Sequence, residues 1–334
     1  MKILWLKSEL LHPVDKGGKI RTYHMLKHLA RDHRVTYLSL VTGEEPADAY
    51  VRAREYCHRI VAVPWSGPER GSAAFYTDLA RNMVSPLPYA VEKYRSLAMR
   101  RAIERELSGR CEYDVVVCDF LAPSVNVPAS LPVPTVLFQH NVEAMIWQRH
   151  AETATGVRKA FFHTQWRKMA RYEQAACRRF DAVAAVSEND RDTMREEYGV
   201  EQVYDVPTGV DHEFFRPMSP QPSAPEIVFT GSMDWMPNED GVTWFVESVL
   251  PRIRERVPDV VTTVVGRNPP GHIRALAERD PSVRITGTVP DVRPYLERAA
   301  LSIVPLRVGG GTRLKIYEAM SIGTPVVSTA IGAE

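Results

Sequence analysis

The stretch GGGTRLKIYEAMSIGTPVV, residues 309–327, decides how the chain is read. Its glycines follow an apolar run, LSIVPL (301–306), and open onto a helical pattern over 312–322 that leads into a second apolar run, PVVST (325–329). A glycine-rich turn from strand to helix lets backbone N–H groups approach a ligand closely, and the start of the helix favours an anion. Thr312 adds a hydroxyl, while Arg313 and Lys315 place two cations in the first turn, where the helix macrodipole disfavours them. An anionic ligand such as a diphosphate gives those charges a purpose, with the amides of Gly310 and Gly311 beside them. Glu318, further along the helix, is placed to accept hydrogen bonds from ribose hydroxyls. The competing reading is a glycine-rich turn that carries a solvated Arg and Lys.

Outward from this stretch, strand-like and helix-like segments alternate. EIVFTGS (226–232), VVTTVVG (260–266), VRIT (283–286), LSIVPL and PVVST read as strands, with helices expected over 239–257, 271–279, 291–299 and 312–322. Upstream lies SPQPSAP (219–225), a Pro/Ser-rich linker with neither period. Before it a similar series runs through KILWL (2–6), VTYLSLV (35–41), RIVAV (59–63), YDVVVCD (113–119), PTVLFQ (134–139) and DAVAAVS (181–187). Most of these runs are apolar throughout, which fits parallel strands buried on both faces. A helix over 19–31 is expected to bury Ile20, Tyr23, Leu26 and Ala30, and 142–180 to form one helix or a bent pair. Two βα series around a proline-rich joint predict an α/β protein of two doubly wound Rossmann-like domains. The expected boundaries are 1–216, a linker at 217–225, and 226–334, the last short for its type and expected to be incomplete at its C-terminus.

Composition agrees. The 334 residues are 44% hydrophobic, enough for two cores, and the net charge of +1 shows no bias toward nucleic acid. Four cysteines, at 57, 111, 118 and 177, lack metal-ligand spacing and read as reduced thiols of a cytoplasmic protein. The N-terminal run is broken by Lys7 and is not read as a signal peptide, and no uninterrupted apolar stretch reaches the roughly 18 residues of a membrane span.

Two further places could carry chemistry. Gly17 and Gly18 lie between the first strand and the first helix, a tight turn or a phosphate-facing loop. His140 follows the strand PTVLFQ, at the edge of a parallel sheet where ligands bind, although a lone histidine is as readily structural. Asp190-Arg191-Asp192 looks like a metal-binding Asp-x-Asp but stands just after Ser187 at a helix start, so it is read as capping and no metal is assigned. The basic, aromatic segment 158–180 reads as a crossover helix with a solvated face, with peripheral contact to an anionic inner membrane as the alternative.

Glu318-Ala319-Met320 with Gly323-Thr324-Pro325-Val326-Val327 resembles the donor-nucleotide motif of the family 4 retaining glycosyltransferases. That motif carries an earlier glutamate at the position Gly310 holds here. GSMDWMPNEDGV (231–242) resembles the start of the second domain in one branch of the family. Relatives have an Arg and a Lys there for the diphosphate, and this chain has neither between Gly231 and Gly241, so that task falls to Arg313 and Lys315. VSENDRD (186–192) and PTGVD (207–211) extend the resemblance over nearly the whole chain. It implies a GT-B fold with a cleft between the domains, and transfer of a sugar, with retention, from a nucleoside-diphosphate sugar to a glycan or lipid-linked acceptor in exopolysaccharide or cell-surface glycan synthesis. It also implies that the Gly17-Gly18 loop and Gly231 face the donor, and that His140 points at the donor sugar, with Asn141 and Glu143 beside it. No cofactor beyond the donor is expected. The rival functions are a sugar-nucleotide epimerase, which needs acid/base carboxylates, and a non-catalytic nucleotide-sugar-binding protein, which would bind without releasing nucleoside diphosphate.

Overall fold

The apolar runs become strands of two all-parallel sheets in the computed structural model, which describes residues 1–69, 71–109, 111–218, 225–309 and 312–333. The first sheet contains β1 (Lys2–Lys7), β2 (Arg34–Val41), β3 (Arg59–Pro64), β4 (Val115–Asp119), β5 (Thr135–Phe138), β6 (Ala182–Ala185) and β7 (Val203–Asp205). Their spatial order is β3-β2-β1-β4-β5-β6-β7. The second contains β8 (Glu226–Thr230), β9 (Val261–Val265), β10 (Val283–Gly287), β11 (Leu301–Val304) and β12 (Val326–Ser328), in the order β10-β9-β8-β11-β12. β7 is not expected from sequence, because three residues at a sheet edge are too few to show a period.

Burial on both faces explains why the runs do not alternate. Leu4, Leu6, Leu38 and Leu40 enter one core of the first sheet, while Ile3, Trp5, Val35 and Tyr37 enter the core on its other side. The second sheet repeats the arrangement, with Ile227 and Phe229 on one face and Val228 on the other. In each sheet the strand order reverses once, between β1 and β4 and between β8 and β11. In open α/β sheets ligands bind beyond the carboxyl ends of the strands at that reversal.

The segment 142–180 is a pair of helices, Glu143–Thr153 and Gly156–Arg179, broken where Gly156 takes a φ of +59°. The first helix, Gly17–Asp32, begins earlier than expected and buries Lys19, Thr22 and Leu26. Of the expected apolar face only Leu26 is fully covered, because the helix turns Thr22 and Lys19 inward toward polar partners. The helix expected over 239–257 starts at Met236 and passes through a π turn at Phe245–Val249 before ending at Arg254.

The chain divides into two compact units, Met1–Pro207 and Thr208–Glu334. The division precedes residue 216 because residues 208–218 are held by the second unit. Arg293 lies 3.8 Å over the Phe214 ring, and Ser321 donates to the Phe215 carbonyl at 2.6 Å. The linker residues 219–224 fall outside the described residues. Among the described residues no helix is long and apolar enough to cross a membrane.

Candidate functional site

In the second unit Gly231, Thr312, Arg313, Lys315 and Glu318 lie on segments that follow β8 and β11, the strands at the reversal. Gly231 directly follows β8, and helix Leu314–Ile322 is the next element after β11. The helix stops cleanly because Gly323 takes a left-handed φ of 93° and Thr324 returns its N–H to the Ala319 carbonyl at 2.9 Å. At its start Arg313 is the N-cap residue, buried to 8% exposure, with its guanidinium 5.7 Å from the centre of the Trp235 ring. The Lys315 ammonium stands 4.0 Å over the ring of buried Phe229 and donates to Asn238 Oδ1 at 3.2 Å. Aromatic faces and a side-chain carbonyl thus hold two cations where the helix dipole opposes them.

Glycine is favoured at two points of this arrangement, where the backbone takes φ values of 159° at Gly231 and 154° at Gly309 that L residues rarely adopt. A Cβ on Gly231 would lie 2.7 Å from Lys315 Nζ and 2.9 Å from Asn238 Nδ2, and one on Gly309 would collide with the Arg313 guanidinium. The loop after β8 is tied to the end of β9, since Gly231 N–H donates to Val265 O at 2.9 Å and Met233 N–H to Arg267 O at 3.0 Å. Burial pushes the Lys315 ammonium down to about 7, the Arg313 charge adds to this, and Glu318 opposes it. Burial likewise raises the Glu318 carboxyl to about 7 against the pull of Lys315. Both groups are therefore sensitive to any charge that arrives beside them. Thr312 is half-buried next to Arg313, while Gly310 and Gly311 lie outside the described residues.

In the first unit His140 follows β5 and is buried at 7% exposure. Its Nε2 meets Asp119 Oδ1 at 2.7 Å, and its ring stacks on Phe120 with centroids 3.8 Å apart and planes 7° from parallel. Phe120 has a φ of 75°, a strained conformation for a bulky residue. The same ring closes on the Gly17-Gly18 loop, where a Cβ on Gly18 would lie 2.5 Å from Phe120 Cζ. Gly18 and His140, far apart in sequence, thus sandwich one aromatic ring, and Gly17 is the exposed first residue of its helix. Burial drives the His140 imidazolium well below its ordinary range despite Asp119. Burial also opposes ionisation of Asp119, but Lys7 and the His140 contact outweigh it and hold the carboxyl well below the usual range.

Several residues of these constellations are absent from the sequence reading. Lys7 closes β1 and Asp119 closes β4, and a charged residue that ends an apolar parallel strand is a usable signal for both. Asn238, Trp235 and Phe120 give no such signal. Arg267 reaches the loop 231–235 from just beyond β9, donating to Ser232 Oγ at 2.7 Å and to Asp234 at 2.6 Å, so a segment without cations of its own is braced by one from elsewhere. Asn141 donates to Glu143 at 3.3 Å, and the start of the following helix is capped by buried Glu173, which accepts from the N–H groups of Glu143 and Ala144. Asp190 does stand at a helix start, where Ser187 Oγ accepts from its N–H at 3.1 Å.

Residues 16–214 match the family described as "Glycosyltransferase Family 4", and residues 224–334 match "Glycosyl transferases group 1". A Klebsiella pneumoniae protein described as "Uncharacterized 44.6 kDa protein in cps region" is 23% identical, over all of this chain and 84% of its own length. Among solved structures, Anabaena Alr3699/HepE in complex with UDP-glucose superposes with a TM-score of 0.63 at 14% identity, covering 99% of this chain and 81% of that one. WaaG, a glycosyltransferase involved in lipopolysaccharide biosynthesis, gives 0.61 at 16% identity, covering 98% and 81%. TarM of S. aureus, in a complex that includes UDP, gives 0.66 at 11% identity, covering 99% and 86%. These structural likenesses establish the fold, two parallel-sheet Rossmann-like domains of the GT-B kind.

Proposed function

This chain belongs to glycosyltransferase family 4, and from that premise we propose that it moves a sugar from a nucleoside-diphosphate sugar to an acceptor hydroxyl with retention at the anomeric carbon. The observation that carries this reading is the pair Lys315 beside Gly231 and Arg313 beside Gly309, each cation resting on an aromatic face at the carboxyl end of the second sheet. HepE was solved with UDP-glucose and TarM with UDP, which supports a nucleotide-sugar donor.

The reaction separates a diphosphate from a sugar that becomes oxocarbenium-like. The greatest demand is then for positive charge at the leaving group, and fixed donors aimed at developing charge are worth most there. Arg313 and Lys315 meet that demand with the chain's own cations, assisted by Thr312 and the amides of Gly310 and Gly311, with no metal in the scheme. Glu318 holds the ribose, His140 hydrogen-bonds the donor sugar, and Gly17, Gly18 and Gly231 keep the donor-facing loops free of side chains. Retention follows from attack on the face that the diphosphate leaves. A hexosyl donor is favoured by the UDP-glucose bound to HepE, and a glycan or lipid-linked acceptor in exopolysaccharide or other cell-surface glycan synthesis by WaaG's part in lipopolysaccharide biosynthesis and by the relative from a cps region. The work is assigned to the cytoplasm, and the exposed Arg158 and Lys159 of helix Gly156–Arg179 suit a peripheral contact with the inner membrane.

Incubation with a panel of nucleotide sugars, with and without glycan acceptors, tests the proposal through release of nucleoside diphosphate. Acceptor-dependent release is expected. Tight binding without release would instead favour a non-catalytic nucleotide-sugar-binding protein.

A further inference from the structure

The transfer scheme gives no role to the carboxylate that ends β4. Asp119 is fully buried, and it is surrounded by hydrogen-bond donors. Its Oδ2 accepts from Trp5 Nε1 at 3.0 Å, from Lys7 Nζ at 2.8 Å and from Thr22 Oγ1 at 2.7 Å, and its Oδ1 faces His140 Nε2 at 2.7 Å. Strands β1 and β4, the residues just after β5 and helix Gly17–Asp32 all contribute to this one cluster. An ionised carboxylate has only acceptors to offer, so the proton of the Asp119–His140 contact sits on Nε2. Burial disfavours a second proton on the ring, and a neutral imidazole that carries its hydrogen on Nε2 presents Nδ1 as an acceptor. The ring plane is fixed as well, by face-to-face contact with Phe120, which Gly18 and Lys7 hold from other sides.

We propose that Asp119 is a positioning residue for His140, locking the imidazole as the neutral Nε2–H tautomer so that it meets a sugar hydroxyl as a hydrogen-bond acceptor and never as an acid. Only the sugar in this statement rests on the transfer reading; the tautomer and the residue that sets it do not.

The test is spectroscopic. Long-range 1H–15N correlation spectra of the full chain with 15N-labelled histidine report the charge and tautomer of each ring, and the His140 signals are those missing from His140→Gln. Between pH 5 and 8 the wild type is expected to show His140 neutral with its proton on Nε2. In Asp119→Asn the amide can donate to Nε2, so the proton is expected to move to Nδ1, with kcat/KM for the donor falling at least about tenfold, the scale of one lost or reversed buried hydrogen bond. That variant leaves the Lys7 charge unmatched, so Lys7→Met/Asp119→Asn is measured beside it; it removes both charges and should show the same switch in a folded protein. An imidazolium or an Nδ1–H tautomer in the wild type would overturn the proposal, as would an unchanged tautomer in either folded variant. A wild-type Nε2–H tautomer in a protein that turns over no nucleotide sugar would overturn the transfer reaction and leave the Asp119 assignment standing.

Discussion

Replacing Gly18 by alanine separates two opposed physical effects. Gly18 is the second residue of helix Gly17–Asp32, and helix propensity alone favours alanine over glycine by about 0.5–1 kcal/mol. Packing says the reverse. The new methyl carbon would lie 2.5 Å from Phe120 Cζ and 2.9 Å from Cε2, where carbon atoms prefer separations of about 3.5–4.0 Å. The ring must therefore retreat by about 1 Å. It cannot do so toward His140, already stacked at 3.8 Å between centroids, and its own backbone is held at a φ of 75°. Overpacking of this kind typically costs about 1–3 kcal/mol, which exceeds the propensity gain over most of its range. The net cost is about 0.5–2 kcal/mol, so at roughly 2–4 °C per kcal/mol for a unit of about 200 residues the Tm of the first unit should drop by about 1–8 °C. Scanning calorimetry reads this directly. Gly271→Ala is the control, because Gly271 opens helix Gly271–Arg279 with nothing within 4 Å of the added carbon, so its Tm should hold or rise. If Gly18→Ala melted at or above the wild-type temperature, the claim that Phe120 demands a glycine there would be wrong.

Four further outcomes are expected. Arg313→Ala should lower donor turnover by about 10²–10³-fold, the usual effect of removing one fixed donor from a developing anion, with the circular-dichroism spectrum retained; full turnover would remove Arg313 from the leaving-group site. Since the Lys315 ammonium titrates at about 7 in the free protein, nucleoside diphosphate should bind fully below that pH and lose up to about tenfold in affinity per unit above it, with a proton taken up on binding. Calorimetric titrations in buffers of different ionisation heat will show the uptake, and Lys315→Met should reduce it to the share taken up by Glu318, whose carboxyl also lies at about 7. The same group has a folded pKa below its ordinary value of 10.5, so the unfolded chain binds more protons between about 7 and 10.5, and the contribution of Lys315 to stability rises with pH across that window. Gly231→Ala puts a methyl 2.7 Å from Lys315 Nζ on a backbone with a φ of 159° that L residues rarely adopt, so donor KM should rise by about tenfold and Tm should fall by a few degrees, about 1–3 kcal/mol of strain, as read by steady-state kinetics beside a thermal melt.

The sequence was most legible where one segment carries both structure and chemistry. GGGTRLKIYEAM placed a glycine turn, two misfit cations and a helix in order, and Arg313 and Lys315 lie together as that order implies. The aromatic supports were not legible. Trp235 and Phe229 reach the cations from residues more than seventy positions earlier, and nothing about either aromatic in its own segment marks it as a cation's partner. Helix Gly17–Asp32 shows a different loss. Its apolar period pointed to Ile20 and Tyr23, but the fold turned Thr22 inward because Asp119 waits there with an oxygen to accept its hydroxyl.

By itself the sequence determined what local periodicity and short-range chemistry can encode: strands buried on both faces, helices between them, two successive α/β series, and a glycine-rich segment with two cations between a strand and a helix. Tertiary structure alone decided which strand ends are neighbours. Strand order brings β1 beside β4, although more than a hundred residues separate them, and only that adjacency puts Lys7, Asp119 and His140 into one buried cluster and closes Phe120 on Gly18. The physical reason is that a hydrogen bond or a steric contact depends on distance in space, and a parallel sheet sets those distances through crossovers whose order the period of each strand does not record.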